Sequence, residues 1–330
     1  STLTRREEFA AGILIIGGAG FLGLAAARSL QGAFRLRLLD NLIHGAAQRK
    51  AVAESGLDCR IGDLRDRSCL LPALEGMDFV LHLASLAGVE QVRAEAVETM
   101  ETILFGTSAL LSACRARAVR RLIFVSTSEV YGAQAGDARE DCASAGFDPT
   151  QARWCYGAAK LAAEHLVLAH GRRYAQDVCV IRPFNVYGPG QYGQGAVHAF
   201  VRQALAGGPL VVHNLGQQVR AWLYIDDFVE GLKRCLFSEQ AAGRVFNLGN
   251  AQETLSIREL AQRVADLAGG LEIVYEPREG AEVDLRVPNL ERSGRLLDFS
   301  PRVALAEGRK RTLDWYARQE RGLRHARVSG

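Results

Sequence analysis

Residues 13–23 read ILIIGGAGFLG, and this stretch decides the fold. The four apolar residues at 13–16 are typical of a strand that is buried on both faces of a sheet. Three glycines follow at positions 17, 20 and 23, and residues 24–30 have the composition of a helix. The order of strand, glycine turn and helix predicts the first unit of a parallel α/β sheet.

The glycine turn is also suited to bind a phosphate group. Gly17, Gly20 and Gly23 let the backbone approach a pyrophosphate, and the next helix presents unpaired N–H groups and the positive end of its dipole. Glycine also serves tight turns that bind nothing, so a second signal is needed. That signal is Asp40, which lies 20 residues after Gly20 at the end of the stretch 35–39 (RLRLL). A carboxylate at this place accepts hydrogen bonds from the adenosine ribose of a dinucleotide.

The same region favours NAD over NADP. Asp40 would repel the 2′-phosphate of NADP, and Asn41 follows it where a basic residue would favour that phosphate. We therefore expect NAD as the cofactor.

Length and composition exclude several classes of protein. The 330 residues are 48% hydrophobic and 23% charged, which allows a substantial core. A net charge of +3 gives no support to a nucleic-acid partner, and no apolar run reaches the roughly 18 residues of a membrane span. Residues 1–10 carry no apolar signal core, and the seven scattered cysteines form no metal motif. We expect a cytoplasmic protein with no metal site and no nucleic-acid or membrane partner.

Apolar strands alternate with helical stretches through the first half of the chain. The strands are predicted at 13–16, 36–39, 79–84, 122–126 and 178–183, and the long helices at 94–118 and 156–171. This alternation predicts an α/β fold with a Rossmann doubly wound parallel sheet.

The predicted domains are interleaved. The NAD-binding Rossmann domain is placed at 11–188 with a returning segment at about 220–250, and a smaller C-terminal substrate-binding lobe at 189–219 and 251–320. Flexible ends are expected at 1–10 and 321–330, where polar and arginine-rich sequence predominates.

Two clusters of residues are suited to catalysis. Tyr156 and Lys160 are predicted to lie one turn apart on one face of a helix. A phenol is a weak base at neutral pH, but a neighbouring ammonium and a nicotinamide cation both favour the phenolate. Tyr156 is thus suited to take a proton from a hydroxyl group while hydride leaves the same carbon. Thr127, Ser128 and Glu129 follow an apolar strand, and open α/β sheets bind their ligands at such strand ends.

Several further segments carry a family pattern. They are 62–64 (GDL), 82–84 (HLA), 126–132 (STSEVYG), 156–160 (YGAAK), 182–190 (RPFNVYGPG) and 220–227 (RAWLYIDD). With the glycine triplet and Asp40, they resemble the extended short-chain dehydrogenases/reductases, in particular the NAD-dependent nucleotide-sugar epimerases, dehydratases and decarboxylases. The resemblance covers nearly the whole chain, and it implies a homodimer that pairs the two long helices.

The resemblance implies a bound NAD that transiently oxidises carbon 4 of a nucleotide-linked sugar. Thr127 would hydrogen-bond the hydroxyl at carbon 4, Tyr156 would remove its proton, and Lys160 would hold the nicotinamide ribose. The implied cofactor contacts are Gly17, Gly20, Phe21, Leu22, Gly23, Asp40, Asn41, Asp63, Leu64, Leu83, Ala84, Tyr156, Lys160 and Pro183. One departure is Ile103, where many relatives carry asparagine, so one hydrogen bond to the cofactor is in doubt.

The resemblance also implies how the substrate is held. Asn185, Arg220 and Arg286 would bind the diphosphate of a UDP- or dTDP-linked sugar, since cationic donors suit phosphate oxygens.

Glu129 and its neighbours bear on the choice of reaction. A 4-epimerase needs no carboxylate beside carbon 5, whereas a 4-keto group acidifies the C–H at carbon 5 and makes an adjacent carboxylate a good leaving group. In the hexose 4,6-dehydratases, the counterpart of Glu129 is the base at carbon 5. The residue before it is commonly an aspartate that protonates the leaving hydroxyl, and this chain has Ser128 there. The Ser-Glu pair and Arg153 resemble the UDP-glucuronate decarboxylases instead.

We therefore expect decarboxylation of a UDP-uronic acid such as UDP-glucuronate, ahead of 4,6-dehydration and 4-epimerisation. Some amino-sugar dehydratases share the Ser-Glu pair, and the segment 220–227 is dehydratase-like. For Glu129 the alternative is a local cap or ion pair. An alternative from another class of function is a non-catalytic NAD-binding sensor or scaffold. Thr127, Tyr156 and Lys160 argue against it, because a pure binding protein has no need to keep them together.

Overall fold

The computed structural model describes residues 11–43, 45–84, 89–142, 146–191, 195–279 and 283–328. Within these ranges the strands are β1 Gly12–Ile16, β2 Arg35–Asp40, β3 Asp58–Ile61, β4 Phe79–His82, β5 Arg121–Val125, β6 Gln134–Ala138, β7 Asp177–Pro183, β8 Val186–Tyr187, β9 Leu210–His213, β10 Val219–Ala221, β11 Leu223–Tyr224, β12 Arg244–Leu248, β13 Thr254–Ser256, β14 Ile273–Glu276 and β15 Leu285–Pro288. The helices are α1 Phe21–Leu30, α2 Ala46–Ser55, α3 Arg67–Ala73, α4 Val89–Ala94, α5 Ala96–Ala116, α6 Cys155–Tyr174, α7 Ala196–Leu205, α8 Ile225–Phe237, α9 Ile257–Leu267, α10 Glu291–Leu297 and α11 Leu305–Val328. Short 3₁₀ helices cover Ser128–Tyr131, Ala152–Trp154 and Glu239–Ala241.

Seven strands form one parallel sheet in the order β12-β7-β5-β4-β1-β2-β3. The strand order reverses between β1 and β4, and doubly wound sheets bind their ligands in the crevice at such a switch point. The predicted Rossmann sheet is therefore confirmed, with the glycine turn after β1 at its switch point.

The side chains of β1 alternate between two hydrophobic cores, one on each face of the sheet. Ile13 and Ile15 pack in the core that α1 and α8 cover, whereas Leu14 and Ile16 pack in the core that α5 and α6 cover. All four side chains are at most 2% exposed. Because both faces are buried, the strand is a continuous apolar run rather than an alternating one.

A second sheet of four strands has the order β13-β10-β15-β6. Its strand β6 comes from the first half of the chain and pairs in parallel with β15, so that Ala135 lies opposite Arg286. The sequence prediction places residues 134–138 in the Rossmann domain, but these backbone hydrogen bonds join them to the second sheet. The chain then returns: α8 packs in the core beside α1, and β12 forms an edge of the large sheet.

Three boundaries differ from the sequence prediction. The helix predicted at 94–118 is the shorter α5, Ala96–Ala116, and Glu95, with φ −126° and ψ 46°, separates it from α4. The strand predicted at 79–84 ends at His82. A flexible end is predicted from residue 321, but α11 continues to Val328. The other predicted flexible residues, 1–10 and 329–330, lie outside the described part of the chain.

Candidate active site

The glycine turn between β1 and α1 is shaped by close backbone contacts. Gly17 has a φ of +76°, and a Cβ on it would lie 2.7 Å from the backbone nitrogen of Ala84. A Cβ on Gly23 would collide with the carbonyl oxygen of Gly17. Helix α1 begins after Gly20 with no side-chain cap and no acidic residue in its first turn. The uncapped N–H groups of this helix end therefore suit the pyrophosphate of a dinucleotide.

Asp40 ends β2 beside the glycine turn. Its Oδ2 accepts a hydrogen bond from the N–H of Ala19 at 3.0 Å, and its Oδ1 accepts one from the N–H of Leu42 at 2.8 Å. These bonds fix the carboxylate against the turn, where the ribose hydroxyl groups of NAD would meet it. A carboxylate oxygen accepts more than one hydrogen bond, so the arrangement fits the cofactor. Asn41 lies exposed beside it, and its Oδ1 accepts a hydrogen bond from the N–H of Ile43 at 3.2 Å.

The residues predicted to contact adenine lie next to α5. Asp63 forms a bidentate pair with Arg65 at 3.0 and 2.7 Å, and the hydrogen bonds from Arg65 lower the pKa of Asp63. Leu64 is buried against Gly106, where a Cβ would lie 2.8 Å from the leucine side chain. Ile103 packs in the same core. The partnership of Asp63 with Arg65 is not foreseen by the sequence prediction, and the adenine contacts stay predictions.

The other predicted cofactor residues surround the switch point or end strands at the same edge of the sheet. Phe21 and Leu22 form the first turn of α1, Leu83 and Ala84 directly follow β4, and Pro183 is the last residue of β7.

Thr127, Ser128 and Glu129 follow β5 at the carboxyl edge of the sheet. Thr127 caps the 3₁₀ helix Ser128–Tyr131, because its Oγ1 accepts a hydrogen bond from the N–H of Glu129 at 3.2 Å. A hydroxyl that accepts one hydrogen bond still has its own proton to donate. Ser128 is buried. The segment predicted to be catalytic is thus held in a fixed turn.

Lys160 ties α6 to the end of β5. Its Nζ donates a hydrogen bond to the carbonyl oxygen of Val125 at 2.8 Å and lies 4.8 Å from the centre of the Phe124 ring. Burial lowers the pKa of Lys160 to about 7, because a charged ammonium loses its hydration there.

Tyr156 begins the same face of α6 and is half-buried. The next residue, Gly157, lies against the turn that carries Glu129, since a Cβ on it would be 3.0 Å from the carbonyl oxygen of Glu129. Strand β5 and helix α6 thus bring Thr127, Tyr156 and Lys160 to one edge of the sheet, which is the arrangement that the sequence predicts.

Glu129 lies between two arginines. The Nη1 of Arg153 is 2.7 Å from one carboxylate oxygen, and the Nη1 of Arg286 contacts the other. Burial raises the pKa of Glu129, but the charges of Arg286 and Arg153 outweigh burial and lower the pKa to about 2. Glu129 is therefore an anion at neutral pH. The ion pair that the sequence analysis gives as the alternative role of Glu129 is therefore present. Its partners, Arg153 and Arg286, are also residues that the sequence analysis names.

The two arginines reach Glu129 from different elements. Arg153 stands on the 3₁₀ helix just before α6, and Arg286 stands on β15, which pairs with β6. Arg286 Nη2 also donates a hydrogen bond to the carbonyl oxygen of Gly132 at 2.9 Å. The sequence prediction assigns Arg286 to the diphosphate and does not foresee its contact with Glu129. No local pattern signals that contact, because it depends on the pairing of two distant strands.

The remaining residues predicted to bind substrate lie beside this cluster. Arg220 on β10 is the register partner of Arg286 on β15, so the two residues are neighbours across the sheet. Arg220 donates hydrogen bonds to the carbonyl oxygens of Val219 and Val283. Asn185 Nδ2 donates one to the carbonyl oxygen of Ala221 at 2.9 Å. Their binding of the diphosphate stays a prediction.

Two kinds of feature are absent from the described residues. These ranges contain no group of three or more side chains placed to hold a metal ion. None of their helices combines the length and the apolar character that crossing a membrane requires.

The fold and the site define a dinucleotide-binding α/β protein with a tyrosine and a lysine beside the switch point. The chain belongs to the NAD dependent epimerase/dehydratase family, whose model matches residues 13–249. It is an enzyme of this NAD-dependent family of nucleotide-sugar epimerases, dehydratases and decarboxylases, and its cofactor is NAD. The predicted family, enzyme class and cofactor are therefore confirmed.

Similar proteins carry out three different reactions. The UDP-N-acetyl-alpha-D-glucosaminuronate decarboxylase of Bacillus cytotoxicus is 30% identical over 315 residues, which cover 92% of this chain and 97% of that protein. The dTDP-glucose 4,6-dehydratase of Streptomyces griseus is 32% identical over 316 residues, which cover 92% and 93%. The structure of the UDP-glucuronic acid 4-epimerase of Bacillus cereus, in complex with UDP-glucuronic acid and NAD, has a TM-score of 0.86 at 26% identity and covers 93% of this chain and 99% of that one. Modification of a nucleotide sugar is common to them, whereas the reaction differs.

Proposed function

We propose that the chain decarboxylates a UDP-linked uronic acid, with UDP-glucuronate as the favoured substrate, after transient oxidation of carbon 4. The observation that carries this proposal is the ion-pair cluster of Glu129 with Arg153 and Arg286. Two guanidinium groups and one carboxylate leave one positive charge on the cluster. The carboxylate of a uronic acid brings the one negative charge that matches it, whereas a neutral hexose brings none.

The same cluster argues against 4,6-dehydration. Glu129 is a weak base because its pKa is about 2, and a general base works best when its pKa lies near the working pH. Dehydration also needs an acid for the leaving hydroxyl, and the hydroxyl of Ser128 is not acidic at neutral pH. Decarboxylation needs neither group, because the bond that breaks supplies its own electron pair.

The residues of the site then have distinct tasks. NAD, when bound, supplies the hydride acceptor and donor for carbon 4. Thr127 hydrogen-bonds the hydroxyl at carbon 4, and Tyr156, stabilised as phenolate by Lys160, takes its proton. The resulting 4-keto sugar is a β-keto acid, so the bond between carbons 5 and 6 breaks, carbon dioxide leaves and the electron pair moves into the carbonyl. Carbon 5 takes up a proton from water, carbon 4 takes back the hydride, and Tyr156 returns its proton to the oxygen on carbon 4.

Glu129 has two tasks in this scheme. It holds Arg153 and Arg286 in place, and its negative charge limits how tightly they bind the substrate carboxylate. The departure of carbon dioxide relieves the repulsion between the two carboxylates, so the anion favours the reacting state over the bound ground state.

The similar proteins support this proposal and keep one alternative in view. One relative is named a glucosaminuronate decarboxylase, and one structural neighbour was solved with UDP-glucuronic acid. The second candidate is 4,6-dehydration, because the relative from Streptomyces griseus is a dTDP-glucose 4,6-dehydratase at 32% identity. A third candidate is 4-epimerisation, because the structural neighbour from Bacillus cereus is a UDP-glucuronic acid 4-epimerase.

A substrate panel tests the proposal. Purified protein is incubated with UDP-glucuronate, UDP-N-acetylglucosamine and dTDP-glucose, and the products are analysed by mass spectrometry. We expect loss of carbon dioxide from UDP-glucuronate. Loss of water from either of the other substrates would identify a dehydratase, and an unchanged mass with altered retention would identify an epimerase. Bound NAD without turnover of UDP-glucuronate would contradict the proposed reaction.

We also propose that the enzyme is a cytoplasmic homodimer. Val97 and Phe105 on α5 are 72% and 62% exposed, and large exposed apolar side chains mark association surfaces. The long helix α5 is the one that the family resemblance implies at the dimer interface. All seven cysteines are free thiols, which agrees with a reducing compartment.

A further inference from the structure

The helix that carries Tyr156 and Lys160 bears a third ionisable residue one turn further on, Glu164. Lys160 and Glu164 are both buried, with 1% and 2% of their surface exposed. A spacing of four residues places them on one face of the helix. Burial lowers the pKa of Lys160, and the charge of Glu164 opposes that effect.

Arg182 on β7 holds the carboxylate of Glu164. Its Nε donates hydrogen bonds to both carboxylate oxygens at 3.0 and 3.2 Å, and its Nη2 donates one at 2.7 Å. Burying two charges costs desolvation energy, and apolar replacements of such pairs are often neutral or stabilising. The pair is therefore weak evidence for stability, and its place one turn from Lys160 suits a role in the adjoining site.

The pair is also anchored to the turn that carries Glu129. Arg182 Nη1 donates a hydrogen bond to the hydroxyl of Tyr131 at 2.8 Å, and Tyr131 donates one to Oδ1 of Asn247 at 2.7 Å. Tyr131 is the last residue of the 3₁₀ helix that contains Glu129. The carboxylate of Glu164 thus has a fixed position relative to both parts of the active site.

Other groups face Lys160 from β4 and β5. His82 on β4 is buried, its Nε2 lies 3.0 Å from the Thr107 hydroxyl, and its pKa is lowered by burial first and by the charge of Lys160 second. Strand β5 contributes the Phe124 ring and the carbonyl oxygen of Val125. Of these neighbours and Glu164, Glu164 is the one acidic side chain, and Arg182 holds its carboxylate.

We propose that Glu164 and Arg182 form a positioning pair that favours the ammonium form of Lys160 inside the buried site. The pair itself touches neither substrate nor cofactor and acts through Lys160. The proposal rests on the proposed function only in the role that it gives Lys160, which must be cationic to stabilise the phenolate of Tyr156.

The lysine content of the chain allows a direct test. The chain contains four lysines, namely Lys50, Lys160, Lys233 and Lys310. Protein labelled with isotopes in lysine alone therefore gives few NMR signals. The side chains of the other three lysines are at least 36% exposed, so the signal of Lys160 is the one from a buried side chain. Loss of a signal in Lys160→Met identifies it. Its pKa is then measured by pH titration of the NAD-saturated protein.

We expect Glu164→Gln to lower the pKa of Lys160 by about one unit, because an opposite charge nearby is lost. The alkaline limb of the kcat profile should move to lower pH by the same amount, which a merely structural role would not cause. The matched control is Glu230→Gln on α8, which removes an exposed carboxylate paired with Arg234 and should change neither titration.

Glu164→Gln leaves the buried Arg182 without its counter-charge. If this variant does not fold, a second variant still tests the proposal. Glu164→Gln combined with Arg182→Met removes both charges, and a smaller fall in the same direction is expected, since the repulsion from Arg182 is lost too. An unchanged pKa of Lys160 in the folded single variant, or in the double variant if the single one does not fold, overturns the proposal. The titration follows Lys160 itself, so its outcome does not depend on whether UDP-glucuronate is turned over.

Discussion

Glu129 is the residue whose surroundings bear most directly on the reaction. The pKa of its carboxyl group is about 2 in the folded protein, against an ordinary value of 4.5, because the charges of Arg286 and Arg153 outweigh burial. A folded-state pKa below the unfolded one means that the charge stabilises the fold above pH 4.5 and loses this effect as the pH falls toward 2. The contribution of Glu129 to stability is therefore pH-dependent in a defined window.

Glu129→Gln should lower the free energy of unfolding by about 3 kcal/mol at neutral pH, since two buried guanidinium groups lose their counter-charge. The difference from the wild type should shrink as the pH falls from 4.5 toward 2, where the wild-type carboxyl group is protonated as well. Urea unfolding at neutral and acidic pH measures both. A difference that is constant with pH would show that the charge of Glu129 is not what stabilises the cluster.

Arg153→Met should weaken binding of UDP-glucuronate by about tenfold to a hundredfold relative to UDP-glucose, because a charge-assisted hydrogen bond to the carboxylate is lost. Calorimetric titration of the NAD-bound protein with both ligands measures the ratio. Arg139→Met, which alters an exposed arginine paired with Glu291, is the control and should leave the ratio unchanged. Equal weakening of both ligands by Arg153→Met would place Arg153 away from the carboxylate.

For single residues, the sequence showed which side chains belong to the site but not which of them touch each other. Glu129, Arg153 and Arg286 each stood out through a motif or a family resemblance. The contact between Glu129 and Arg286 spans 157 positions and arises when β15 pairs with β6. Residues so far apart carry no shared periodicity, so only the assembled sheet shows that they form one cluster.

Among the elements, the glycine turn depends most strictly on its residue types. Gly23→Ala should abolish stable NAD binding, because the added methyl group collides with the carbonyl oxygen of Gly17 and displaces the start of α1. Bound NAD is measured by chromatography of the extracted cofactor.

A glycine in another helix provides the control. Gly294 lies in α10, and a Cβ there would meet its nearest atom at 3.8 Å. Gly294→Ala should retain NAD and stabilise the protein by up to about 1 kcal/mol, since alanine is the better helix former. Retention of NAD by Gly23→Ala as well would mean that the turn tolerates a side chain and that close packing does not explain its glycines.

The sequence predicted long and strongly patterned elements and missed short ones. β1 and β5 are continuous apolar runs because the sheet is covered on both faces, and their positions follow directly from that pattern. β6 reads QAGDA, which has no apolar run or alternation to mark a strand. Its place is set by backbone pairing with β15 rather than by its own composition, so the second sheet could not be predicted from local sequence.

At the scale of the whole molecule, the proposed homodimer makes α5 an interface. Phe105→Glu should convert the dimer to a monomer, because a charge would be buried among apolar side chains. Light scattering after size-exclusion chromatography measures the mass. Tyr275→Glu on β14, at an exposed position in the other lobe, is the control and should leave the mass unchanged. A dimer that survives Phe105→Glu would place the interface elsewhere.

The whole molecule combines an NAD site on one sheet with a cluster that joins two sheets. The turn after β5 supplies Glu129, α6 supplies Tyr156 and Lys160, and β15 supplies Arg286. Release of carbon as carbon dioxide is the property that separates the proposed reaction from dehydration and epimerisation.

The most direct measurement uses UDP-glucuronate labelled with ¹³C at carbon 6. The proposed mechanism predicts one labelled carbon dioxide for each UDP-pentose formed. Reduced cofactor should not accumulate, so its absorbance should show no net change. Conversion of the labelled substrate to an isomer that retains the label, or no conversion while dTDP-glucose loses water, would contradict it.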